Sequence, residues 1–82
     1  MRQTITLSEG QAQTILTYLY DNRTHVRFDA VRQIVAYQWH HELIARALQE
    51  LATLDDNTQV REVARKALRK MENLVAQGML LK

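Results

Sequence analysis

Basic side chains concentrated late in the chain are the first group that could do chemistry. Residues 1–56 hold five Arg against seven Asp or Glu, a balance of −2, whereas residues 57–82 hold six Arg or Lys against two Glu, a balance of +4. Such a group on a helix can bind phosphates or an acidic partner. It is equally typical of a solvated helix face, here with Glu62 and Lys66 as an i, i+4 pair. The cations concerned are Arg65, Lys66, Arg69 and Lys70.

Histidines and carboxylates come next, and their spacing does not fit a metal or catalytic site. His40 and His41 are adjacent, and because neighbouring residues on a helix point about 100° apart, they cannot readily bind one ion. The chain contains no Cys and none of the common zinc, nucleophile or phosphate-binding motifs. Asp21 and Asp55 fall in polar turns, where a carboxylate accepts exposed backbone N–H groups. We therefore expect no metal, no cofactor and no catalytic activity.

Aromatic side chains form a third candidate group, concentrated in the first half of the chain. Aromatic residues are enriched at the energetic centres of binding interfaces. They also fill the space between packed helices inside a domain, and the sequence leaves both interpretations open. The residues are Tyr18, Tyr20, Phe28, Tyr37 and Trp39.

The elements that must position these groups are mostly helical. Ser8 and Gln11 have the spacing of a capping box, and apolar residues then recur at i, i+3 and i+4 in four segments. The spacing predicts helices at about 9–20, 24–38, 41–54 and 60–77. Gly78 then fits a left-handed C-terminal cap. Residues 4–7 alternate as an extended segment, which is too brief to predict a sheet.

One pattern of five residues occurs twice, and it organises the chain. Each copy has an Asp in a turn, a Val that faces the core, an Arg, a small Ala that allows close helix approach, and a further apolar residue. A period of 34 residues lies in the range of helical-hairpin repeats. The first copy is Asp21, Val26, Arg27, Ala30 and Ile34, and the second is Asp55, Val60, Arg61, Ala64 and Leu68.

The two copies, each between amphipathic helices, resemble HEAT-like helical repeats over about residues 12–75. The resemblance implies an all-α fold with two stacked antiparallel helical hairpins, at 9–38 and 41–77, in a single domain spanning 1–82.

In that family the Asp and Arg of neighbouring repeats bond to each other as a ladder. Transferred to this chain, the ladder implies an ion pair between Asp21 and Arg61, or between Asp55 and Arg27. Two repeats are fewer than the three or so that such a stack usually needs. We therefore expect an apolar end to be covered by the N-terminal segment, by the C-terminal tail at 79–82, or by a second copy of the chain.

These features favour a small protein-interaction or scaffold module that self-associates or binds a protein partner. No apolar run approaches the roughly 18 residues of a membrane span, and the first residues do not form a signal peptide, so the expected location is the cytoplasm. The alternative is a nucleic-acid-binding regulatory protein that uses the basic helix at 60–77. That segment resembles a winged-helix recognition helix leading into a strand, with residues 4–7 pairing with 79–81.

Overall fold

The computed structural model describes the backbone of residues 5–80 and the side chains of residues 7–71. This part of the chain forms four α-helices, and the predicted all-α fold is confirmed. The helices are α1 (Glu9–Leu19), α2 (Thr24–Tyr37), α3 (Glu42–Leu54) and α4 (Thr58–Leu80). Two short strands accompany them, β1 (Ile5–Thr6) and β2 (Trp39–His40).

Side-chain caps fix where most helices begin. The predicted capping box of α1 is present: Ser8 Oγ accepts from Gln11 N at 3.2 Å, and Gln11 Oε1 accepts from Ser8 N at 3.0 Å. His41 Nδ1 accepts from Leu43 N at 3.1 Å at the start of α3. Asn57 Oδ1 accepts from Val60 N at 3.1 Å at the start of α4. Each cap pairs an N–H group that the first helical turn leaves without a partner.

The helices form two hairpins, α1–α2 and α3–α4, packed against each other. α1 packs against α3, and α2 packs against α4, so each layer of the molecule holds one helix from each hairpin. The interior between them is apolar, as the spacing predicted. Its largest fully buried side chains are Leu19, Val31, Ile34, Ile44, Leu48 and Val60.

A short sheet ties the N-terminal segment to the junction between the hairpins. β1 runs parallel to β2, with Ile5 opposite Trp39 and Thr6 opposite His40. Leu7 N then donates to His40 O at 3.1 Å, and the Leu7 side chain is buried. The prediction that this segment is too brief for a sheet is therefore wrong. Its alternation is weak, but the connection between α2 and α3 offers it an extended backbone to pair with.

The end of α4 also differs from the sequence-based prediction. The helix continues through Gly78 to Leu80, so Gly78 is not a C-terminal cap. A helix can contain a glycine in this way because an interior glycine costs it only about 1 kcal/mol. The left-handed cap occurs instead at Gln38, where α2 ends with φ of 56°. How the side chains of the 79–82 tail pack lies outside the described residues.

Candidate functional site

An ion pair between the two hairpins joins the two copies of the repeated pattern. Arg27 Nε donates to Asp55 Oδ2 at 2.8 Å, and Arg27 Nη2 donates to Asp55 Oδ1 at 3.2 Å. The two side chains are only 11% and 4% exposed. Arg27 Nη2 also donates to Asp56 Oδ1 at 3.1 Å. Of the two ion pairs that the resemblance implied, this is the one that forms.

The same arginine also holds the turn that precedes its own helix, and the second copy repeats this arrangement. Arg27 Nη1 donates to Asp21 O at 2.8 Å and its Nη2 lies 3.4 Å from Thr24 Oγ1. Arg61 makes the equivalent bonds to Asp55 O and to Thr58 Oγ1. Thr24 and Thr58 also lie 34 residues apart, and that spacing is the signal by which they could have been found from the sequence.

Asp21 and Arg61 do not pair with each other. Asp21 Oδ1 instead accepts from the backbone N of Arg23 at 2.8 Å and from its Nε at 3.0 Å. At the equivalent position of the second copy stands Asn57, whose N donates to Asp55 Oδ1 at 2.9 Å. An asparagine cannot form the ion pair, and Asp55 therefore remains available to Arg27. Within side chains 7–71, no carboxylate bonds to Arg61.

Both turn carboxyls are held in the charged form. Burial acts to raise the pKa of Asp55, but the Asn57 N–H and the Arg27 guanidinium outweigh it, and the net effect is a lowered pKa. The Arg23 guanidinium and backbone N–H lower the pKa of Asp21 from 3.8 to about 2. Hydrogen bonds donated to a carboxylate favour its ionised form.

Acid should therefore remove part of the stability of the fold. The folded-state pKa of each carboxyl lies below the ordinary 3.8, so the unfolded chain binds more protons at low pH. The stabilisation is complete above about pH 4 and is lost as the pH falls through the folded-state pKa values. We expect the melting temperature to fall across this acid range, and Asp55→Asn to flatten the profile.

Thermal melts followed by circular dichroism check this pH dependence. Asp29→Asn is the matched control, because it makes the same chemical change at an exposed aspartate that forms no salt bridge with another described side chain. A profile that keeps its slope in Asp55→Asn would show that other groups control the acid transition.

A groove on the outer face of the first hairpin brings some of the aromatic candidates together. It encloses about 340 Å³ between α1 and α2. A second groove of about 280 Å³ shares two of its residues, Ile15 and Trp39, and extends toward Leu7. The larger groove is lined by Ile15, Tyr18, Val26, Asp29, Ala30, Gln33 and Trp39.

The other aromatic residues contact different parts of the molecule. Tyr37 stacks on Trp39 with ring centroids 5.1 Å apart and is itself exposed. The Tyr20 hydroxyl donates to Glu50 of α3. Partial burial of that hydroxyl and the nearby carboxylate raise the pKa of Tyr20 to about 12. Phe28 lies 6.0 Å below the Arg32 guanidinium. The five aromatic residues therefore do not form one surface.

The basic candidates lie on the exposed side of α4. Arg65, Lys66, Arg69 and Lys70 are all exposed, and none forms an ion pair with another side chain in the 7–71 range. Lys66 and Lys70 also line a shallow groove along the α2–α4 seam, with Arg32 opposite them. This surface is suited to an anionic ligand or an acidic partner.

The described residues contain no group of three His, Asp or Glu side chains placed to hold a metal ion. In the same part of the chain, every helix is too short or too polar to cross a lipid bilayer. Comparison of the chain with protein-family models, with curated proteins and with solved structures gives no match.

Proposed function

We propose that this protein is a non-catalytic module that binds a helix of a protein partner in the groove of its first hairpin. The proposal rests on a comparison of equivalent positions in the two hairpins. Val60 and Ala64 of the second hairpin are fully buried. Ala30, the equivalent of Ala64 in the first hairpin, is also buried. Val26, the equivalent of Val60, is only half-buried and lines the open groove. The valine position that is fully buried in the second hairpin is thus partly exposed to the groove in the first.

The lining of the groove suits an amphipathic helix. Ile15, Val26 and Ala30 supply an apolar floor, while Asp29 and Gln33 supply polar contacts. A helix docks in such a groove through apolar residues at i, i+3, i+4 and i+7. Tyr18 and Trp39 add aromatic contact area of the type found at the energetic centres of interfaces. The resemblance to HEAT-like repeats, whose stacked hairpins act as scaffolds, agrees with this role.

A photo-activated cross-linker at Gln33 tests the proposal in cells that contain the protein. We expect illumination to attach a protein to the Gln33 position, because the side chain lies inside the groove. The matched control carries the same cross-linker at Gln49, which is exposed on α3. Adducts of the same identity and yield at both positions would contradict a role for the groove.

The mass of the Gln33 adduct also identifies the class of partner. An adduct of two copies of this 9.6 kDa chain indicates self-association, whereas any other mass indicates a different protein. Substituting Val26→Glu places a charge on the groove floor and should abolish the adduct in either case.

Nucleic-acid binding through α4 is a second candidate function. The exposed group Arg65, Lys66, Arg69 and Lys70 supports it, since clustered cations bind phosphates. The predicted winged-helix arrangement is wrong, because β1 pairs with β2 and α4 remains helical through Leu80. A labelled DNA duplex that shows no shift with this protein at low salt would end this candidate.

A further inference from the structure

Among the described side chains, Arg61 presents a copy of the contact that joins the two hairpins, without the carboxylate that completes it. Arg27 and Arg61 bond in the same way to the carbonyl and threonine of their own turns. Arg27 then reaches Asp55 of the following hairpin. Within side chains 7–71, no equivalent carboxylate reaches Arg61.

We propose that a second copy of this chain supplies that carboxylate by stacking head to tail. Its first hairpin would lie on the second hairpin of the first copy, repeating the step between the hairpins within one chain. Asp21 of the second copy then meets Arg61 as Asp55 meets Arg27, because each residue is displaced by 34 positions. This inference rests on the proposed function, because the second copy would be the protein that binds in the groove of the first hairpin.

Along the seam between α2 and α4 the contacts within the chain are apolar, whereas the equivalent contacts between two stacked copies, 34 positions away in sequence, are charged. Within the chain, Val35 of α2 and Val63 of α4 line the same groove at the seam. The residue 34 positions after Val35 is Arg69, and the residue 34 positions before Val63 is Asp29. Both are exposed. The interface between copies would therefore place Arg69 against Asp29, which are opposite in charge.

The stack would join two different surfaces of the chain, the outer face of the second hairpin and the outer face of the first. Because the two surfaces differ, each added copy exposes the same pair of ends, so association continues beyond a dimer unless a ring closes.

Arg23 is a built-in competitor for this contact. Its side chain donates to Asp21 Oδ1 at 3.0 Å and to Oδ2 at 3.2 Å, the two oxygens that Arg61 of a neighbour would bind. Asn57, at the equivalent position, leaves Asp55 open to Arg27. Arg23→Asn copies that arrangement, and it should strengthen the association several-fold by removing the competitor.

Sedimentation velocity over a range of protein concentrations and two salt levels tests the stacking. We expect the average mass to rise with protein concentration, without a plateau at the dimer, and to fall at high salt. Asp29→Arg alone and Arg69→Asp alone should each weaken association by at least about fivefold, since like charges then meet. An equimolar mixture of the two variants should restore it, because every interface in an alternating stack again pairs opposite charges.

Both substituted side chains are exposed, so the variants should fold, and their melting temperatures check this directly. A monomer at all concentrations, a dimer plateau, or a mixture that does not recover would overturn the stacking. If the chain stays monomeric while the cross-linker at Gln33 still attaches another protein, the helix-binding role stands and only self-stacking is wrong. If the Gln33 position attaches nothing, the proposed function fails as well.

Discussion

Replacing Arg27 with alanine is expected to lower the free energy of unfolding by about 3–5 kcal/mol, because it strands a buried charge. The Asp55 side chain is 4% exposed, and the guanidinium that neutralises it donates through both Nε and Nη2. Without Arg27 the Asp55 carboxylate keeps only the Asn57 N–H as a strong donor. Urea unfolding followed by circular dichroism measures the loss.

Arg61→Ala is the matched control, because it removes the equivalent bonds to a preceding turn without breaking an ion pair among the described side chains. The difference between the two variants therefore isolates the contact between the hairpins. Combining Arg27→Met with Asp55→Asn closes a double-mutant cycle, and we expect a coupling of roughly 1–3 kcal/mol between them. Equal losses in Arg27→Ala and Arg61→Ala would show that the turn bonds, rather than the ion pair, carry the stability.

The resemblance to HEAT-like repeats implied that the contact between the hairpins would be one of two Asp–Arg pairs. The choice between them depends on a single difference that the pattern does not include. Arg23 follows Asp21 and closes on it, whereas Asn57 follows Asp55 and cannot. Reading the turn residues beside the pattern, as well as the pattern itself, would have favoured Arg27 with Asp55.

Apolar periodicity predicted the positions of the helices, but it did not predict the C-terminal ends of α2 and α4 or the short sheet. Gln38 adopts the left-handed conformation although glycine is the usual residue for it, and Gly78 lies inside a helix. β1 pairs with a segment more than thirty residues away in the sequence, and alternation over two residues carries almost no signal. Such features depend on tertiary contacts, which override local propensity.

The residues of the groove could likewise be predicted from the sequence only in part. The sequence identified the aromatic residues, and tertiary packing then separated them: Tyr18 and Trp39 line the groove, while Tyr20 bonds to Glu50. Val26 was expected to face the core, yet it is only half-buried and lines the open groove, on the face of the first hairpin that the second hairpin does not cover. A repeat pattern specifies which residues face a neighbour, and the number of neighbours decides whether those residues are buried.

Replacing Leu48 with alanine is the second change with a large expected effect, about 2–5 kcal/mol of unfolding free energy. Leu48 is fully buried on α3, between the two hairpins. Truncation removes apolar contacts and leaves a cavity that neighbouring helices only partly fill. A folded chain of 82 residues has about 4–12 kcal/mol of stability in total, so the variant would lose a large share of it. Urea unfolding again measures the change.

Leu54→Ala is the matched control, since it makes the same chemical change on the same helix at a side chain that is 77% exposed. We expect its effect to stay within about 0.5 kcal/mol. If Leu48→Ala is too unstable to fold, Leu48→Met keeps the volume and should cost less than about 1.5 kcal/mol. Similar losses in Leu48→Ala and Leu54→Ala would mean that the hairpins do not pack through α3.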